Sequence, residues 1–176
     1  MSSKYLFDDR LPAGGHRCKK DNEGLILLHL QEHGGSIMTL DECYKNFFLA
    51  INTSENTYNA ELREDTYGTE GAKPNRYPMQ LTTAILNSVV ELATNEDFMS
   101  LTEEDVQGEF MVLDGMDVLI DLKANGKRFN VDTNVMMDVT ENGTIEAKGK
   151  IFKTKLHLIF KRMEKMAESI SNQRFV

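Results

Sequence analysis

The sequence predicts an α+β fold, with helices packed on a three- to four-stranded antiparallel β-meander with long strands and a C-terminal helix. Three observations predict it. Leu81, Ala84, Ile85, Val89 and Leu92 recur near the 3.6-residue period of a helix. From Phe110 onward the apolar residues switch to period two, first Phe110 and Val112, then Val118, Ile120 and Leu122, then Phe129, Val131, Val135, Met137 and Val139. Between two of these runs stands Asn125-Gly126, the strongest short hairpin signal, because a type I′ turn needs positive φ at both central residues.

Taken in order, residues 1–20 read as a flexible N-terminal arm, since the short apolar patch Tyr5-Leu6-Phe7 is followed by the breaker run Pro12-Ala13-Gly14-Gly15. Residues 21–176 form a single domain, with a helical part over 21–107, a β-meander over 108–161 and a helix over 162–173. Within the helical part, Asp21 or Asn22 can cap a helix over residues 23–33 that Gly34-Gly35 ends. Thr39-Leu40-Asp41-Glu42 has the pattern of a capping box and opens a second helix over residues 40–51. Residues 52–79 are polar and hold Gly68, Gly71, Pro74 and Pro78, the composition of a long loop, with a short helix possible over 53–63. A helix over residues 80–93 follows, then a single turn at 100–104.

In the meander, a two-residue turn at Asn125-Gly126 pairs Leu122 with Phe129 and Ile120 with Val131. A three-residue loop ending at a left-handed Gly143 pairs Val139 with Ile145, and a β-bulge near Gly149 absorbs the change of phase before Phe152, Leu156, Leu158 and Phe160. Met163, Met166, Ala167 and Ile170 mark the final helix.

The chain has 176 residues and a formal net charge of −8. That balance speaks against a general duplex binder, which carries a basic stripe to neutralise phosphates. Two cysteines, Cys18 and Cys43, are too few for a disulfide-stapled secreted scaffold. The N-terminus lacks the apolar run of a signal peptide, and no segment approaches the ~20 apolar residues of a membrane span. The expected location is the cytoplasm, or a particle assembled there.

Three constellations could carry chemistry. Asp121-Leu122-Lys123 closes an apolar strand and resembles the second half of the PD-(D/E)xK nuclease motif. That likeness implies a divalent metal held by two acids, with the lysine polarising the attacking water. Glu109 or Asp114 would be the second acid, while the proline that precedes the family's first acid is missing. The alternative is an outward strand face on which Asp117, Asp121, Asn130, Asp132 and Asn134 alternate, with Lys153 and Lys155 opposite Asp132 and Asn130. The second constellation is His16, Cys18, His29 and His33. It is loosely similar to a Cys/His zinc finger, because His29 and His33 stand at the i,i+4 spacing that lets two imidazoles on a helix share a metal. The third is the pair of helices over 23–51, which resembles the opening of a winged-helix domain. Its reading helix would carry Glu55, Glu61, Glu64 and Asp65 against Arg63, a poor face for phosphate.

No phosphate loop and no nucleophile elbow is present, and no cofactor is expected. Strands of about twelve to sixteen residues would reach roughly 40 Å, further than one helix layer covers. The sequence therefore leads to a non-enzymatic structural, assembly or adaptor subunit acting through protein–protein contacts in a homo-oligomer. Nucleic acid and membrane are not the expected partners. The layout is loosely similar to small phage neck and tail-completion proteins. The metal-dependent nuclease and the winged-helix DNA-binding regulator stand as the alternatives.

Overall fold

A computed structural model describes residues 24–34, 42–67, 75–106, 117–133 and 138–173. It corrects the expected fold class. The architecture is predominantly antiparallel sheet: one six-stranded sheet, a separate two-stranded hairpin, and three helices.

Strands β1 (Leu25–Gly34), β2 (Glu42–Asn52), β3 (Thr57–Tyr67) and β4 (Asn75–Pro78) lead into helices α1 (Thr83–Thr94) and α2 (Glu96–Met99). A 3-10 turn (Glu103–Asp105), β5 (Asp117–Ala124), β6 (Lys127–Thr133) and a π-helical turn (Asp138–Asn142) follow. The chain continues with β7 (Thr144–Ala147), β8 (Lys150–Lys153) and α3 (Leu156–Gln173). The strand order is β4-β3-β2-β1-β5-β6, so β1 lies between β2 and β5 and pairs antiparallel with both.

The helices expected over 23–33 and 40–51 are therefore β1 and β2. The expected loop over 52–79 holds most of a third strand and a fourth, and its short helix over 53–63 runs instead into β3. The physical reason lies in burial. β1 and β2 carry apolar side chains at consecutive positions, Leu25-Ile26-Leu27-Leu28 and Phe47-Phe48-Leu49-Ala50-Ile51, all of them buried. A strand covered on both faces reads as a continuous apolar run, which periodicity cannot separate from a helix.

Alternation sorts these residues between two environments. Ile26, Leu28, Leu30, Phe47, Leu49 and Ile51 join the main core with Ile85, Val89, Phe98, Phe129, Ile159 and Phe160, on the face where the helices pack. Leu25, Leu27, Phe48 and Ala50 form a second, smaller cluster on the opposite face. Aromatic contacts tie the layers: the Phe98 ring of α2 lies 4.4 Å from Phe129 of β6 and 5.4 Å from Phe152 of β8.

Caps and turns fix the ends. Thr82 and Asn95 cap α1 and α2, their side chains accepting from the amides of Ile85 and Phe98. Between β2 and β3, Asn52 Oδ1 accepts from the amides of Ser54 and Glu55, each at 3.1 Å. The Asn125-Gly126 turn forms as its composition dictates, with φ of 50° and 74°, and it sets Leu122 opposite Phe129 and Ile120 opposite Val131.

The second half of the expected meander differs. Strands β5 and β6 are eight and seven residues long, and β7 and β8 four each. Lys148-Gly149 is a tight turn of φ 51° and 71° between β7 and β8 in place of a bulge. Val139 lies in the π-helical turn and does not pair with Ile145, whose partner is Phe152. The segment from Leu156 is already helix, so α3 begins earlier than residue 162. Lys153 faces Thr144, while Asn130 and Asp132 pair with Asp121 and Leu119. The layout that resembled phage neck proteins is accordingly not the layout of this fold. The proposed arm over 1–20 lies outside the described residues.

Gly143 is left-handed, as the sequence indicates, with φ of 70°. A Cβ there would run into the His157 ring and the Thr154 carbonyl, whose own amide donates to Gly143 O at 2.6 Å. Gly126 has the same conformation, but nothing lies within 4 Å of its Cβ position. Gly143→Ala is therefore expected to lose about 3 kcal/mol of stability from backbone strain plus overpacking, and Gly126→Ala only about 1 kcal/mol from strain alone. Urea denaturation of the two variants measures the difference; equal losses would contradict the packing described.

Candidate functional site: a buried polar row on the second sheet face

The face of the sheet opposite the helices is not uniformly apolar. Sheet register places His29 of β1 between Phe48 of β2 and Asp121 of β5. One row along, Gln31 stands opposite Asn46, and Asn46 opposite Arg63 of β3. Five of these side chains, His29, Gln31, Asn46, Arg63 and Asp121, are buried, none more than 7% exposed. Burying so many polar groups is costly unless they bind one another.

Asn46 is the hub. Its Oδ1 accepts from Gln31 Nε2 at 2.8 Å and lies 2.9 Å from His29 Nε2. An amide carbonyl oxygen only accepts, so His29 carries a proton on Nε2, and Nδ1 holds the lone pair of the neutral ring. The imidazole is also stacked on Phe48, with centroids 4.6 Å apart and the planes 10° from parallel. Tautomer and ring plane are both set by neighbours that β1–β2 pairing supplies.

Asp121 is clamped from β6. Arg128 donates from Nε to Oδ1 at 2.7 Å and from a terminal nitrogen to Oδ2 at 2.9 Å, a bidentate pair that engages both carboxylate oxygens. The carboxylate is 3% exposed and the guanidinium about half exposed, so the pair sits at the margin of the buried row.

The residues singled out for chemistry fare differently. Asp121 and Lys123 do share one face of β5, as the nuclease-like motif requires, but Lys123 lies opposite Arg128 and the Asp121 oxygens are held by that arginine. Glu109 and Asp114 lie outside the described residues, and so do His16 and Cys18. His29 and His33 are on a strand, where positions four apart share a face but stand roughly 13 Å apart, too far for one ion. Among the described residues no group of three or more His, Cys, Asp or Glu side chains is placed to hold a metal. Cys43 is on β2 and not on a helix. The helix pair that would begin a winged helix is the β1–β2 pair, and Arg63, placed on its reading helix, is buried in β3.

Arg128, Asn46, Gln31 and Arg63 belong to the row without having been singled out for it. Arg128 was within reach of the sequence: the Asn125-Gly126 register sets it diagonal to Asp121 on the same face. Gln31 and Asn46 meet only when β1 pairs with β2, which a helical reading of both segments excludes.

A second feature is visible in the charges. Residues 148–165 carry seven of the 20 bases (Lys148, Lys150, Lys153, Lys155, Lys161, Arg162 and Lys165) and one of the 28 acids, Glu164. Residues 91–105 carry six acids and no base. The fold sets these segments side by side. Lys148 Nζ lies 3.1 Å from Asp105, Lys150 Nζ 2.6 Å from Asp97, and Lys127 Nζ 3.7 Å from Glu96. Hydrogen bonding to Lys150 holds the Asp97 carboxyl below the usual range. For Asp105 the Thr102 amide does the same, helped by Lys148.

Removing one partner of a half-buried pair leaves the other charge uncompensated. Arg128→Ala is therefore expected to cost about 2 kcal/mol, and Arg128→Ala/Asp121→Leu less than Arg128→Ala alone. A double-mutant cycle by urea denaturation reads this; a double variant as unstable as the sum of its parts would remove Asp121 from the clamp. Comparison of the chain with family models, with curated proteins and with solved structures returns no match.

Proposed function

We propose that the chain is a non-enzymatic structural or assembly subunit that acts by associating with further copies of itself. The observation that carries this reading is Ile151, which is 64% exposed on β8. On the outer face of the β7–β8 hairpin its neighbours are Glu146, directly across the pair, and Lys153. Leu158, near the start of α3, is the other exposed large apolar residue among those described. A lone exposed apolar residue is ordinary, but this one is ringed by the chain's densest block of positive charge.

Charge complementarity selects the partner. A basic ridge beside an acidic one is self-complementary, since a two-fold axis between them sets each on its opposite in the second copy. Single-stranded nucleic acid is the poorer fit, because the ridge offers no exposed aromatic ring for a base to stack on. The polar row on the sheet serves this reading as scaffold, since its groups are spent on one another. Among the described residues no helix is long and apolar enough to cross a membrane. A cytoplasmic subunit, or one built into a particle there, accords with that.

Sedimentation velocity of the full chain at low (about 50 mM) and high (about 500 mM) salt tests the proposal. A dimer or larger species at low salt is expected to dissociate as salt rises. Ile151→Asp should weaken association at least about ten-fold with its circular dichroism unchanged. A monomer under every condition, or an oligomer indifferent to both salt and Ile151→Asp, would contradict the reading.

A further inference from the structure

On the helix-facing side of β1 the apolar series Ile26, Leu28, Leu30 ends on a carboxylate. Glu32 is 2% exposed, and its only register partners on that face are Lys45 of β2 and Val118 of β5. Of the two acids buried among the described residues, Asp121 has a bidentate arginine. Glu32 has much less: its Oε2 makes no hydrogen bond, and Lys45 Nζ stands 3.8 Å away, beyond hydrogen-bonding distance. Lys45 is shared besides, since Glu64 of β3 is its cross-strand partner on the other side. From above, α3 brings Glu164 into range. One ammonium thus serves a row of carboxyls, and the innermost is the least well served.

A carboxylate in that position is stabilised by taking up a proton. Burial pushes the Glu32 carboxyl up to about 7, with Lys45 opposing the shift and Glu164 adding to it. We infer that docking of α3 on the sheet is proton-linked through Glu32: the helix settles over a neutral carboxyl and loosens when that carboxyl ionises. The charged groups that set the balance are Lys45 and Glu64 from the neighbouring strands and Glu164 from the helix; β5 contributes only Val118. The inference does not depend on self-association.

The sign follows from the two states of the helix. With α3 lifted, Glu32 meets water and titrates at its ordinary value. Below about pH 4.5 the carboxyl is protonated in both states and pH has no effect. Between about 4.5 and 7 only the docked state holds the proton, so opening increases by up to about ten-fold per pH unit. Above about 7 both states are ionised and the profile is flat again.

Hydrogen exchange of the full chain from pH 5 to 8, corrected for intrinsic exchange, tests this by comparing peptides over α3 with peptides over β5–β6. Opening of α3 is expected to rise from pH 5 and level off near 7, with no such rise in β5–β6. Glu32→Gln should abolish the rise. Glu164→Gln should move the levelling point down in pH and Lys45→Met should move it up, and these exposed or half-exposed sites keep the test decisive if Glu32→Gln does not fold. A flat wild-type profile, a rise of equal size in β5–β6, or a rise that survives in Glu32→Gln would each overturn the inference.

Discussion

The double pairing of β1 is the constraint on which the rest of the structure depends. Its ten residues pair with β2 along their whole length and with β5 over eight of them. Every backbone group of a central strand is committed to the ladder, so its side chains have only two places to go. Leu28 and Leu30 face the helices; Leu27, His29 and Gln31 face the other way. The main core, the second apolar cluster and the polar row are all consequences of that one strand's position. So is the burial of Glu32, which follows two positions after Leu30 and cannot turn to the far face without a slip that would move every neighbour with it.

What the sequence showed plainly was local. Asn125-Gly126 determines its turn because the conformation is demanded by two adjacent residues, and the register of β5 with β6 follows from it. Helix α1 was legible because its apolar positions recur at helical spacing and its other face is polar. Strands β1 and β2 were hidden for the opposite reason. A segment buried on both faces shows no polar alternation, and the glycines after His33 and the Thr39–Glu42 pattern satisfied the rules for helix ends. Only the long-range pairing of β1 with β5, across roughly ninety residues, resolves that ambiguity, and pairing at such separation leaves no local mark. The extra length assigned to the later strands came from the same cause. A period-two run continues past Thr133 in sequence, but α3 takes its residues from Leu156, where Leu156, Ile159, Phe160 and Met163 fit a helical face and are buried.

The candidate sites divide along the same line. Asp121 was found because it ends an apolar strand, yet its chemistry depends on Arg128 and its neighbourhood on His29, which reaches it through β1. A carboxylate gripped by a bidentate guanidinium and a histidine with its tautomer fixed by an asparagine are the signs of a network that specifies a core. The surface carries a different kind of information. Exposed ion pairs such as Lys150–Asp97 contribute little to stability, but the opposite-charge segments they join bear on what meets the molecule. Structure below and association above are thus separate layers, joined at α3, which seals Glu32 on one side and presents Leu158, Lys161 and Lys165 on the other.

The central claim, that residues 25–34 form the middle strand of the sheet, is open to one direct measurement. Nuclear Overhauser contacts assigned along β1 should run across strands, linking His29 to Phe48 and Leu30 to both Phe47 and Ile120, with no sequential i,i+3 contacts. A ladder of i,i+3 contacts through Leu25, Leu28 and Gln31, with no contact to β2 or β5, would show a helix there and contradict the account.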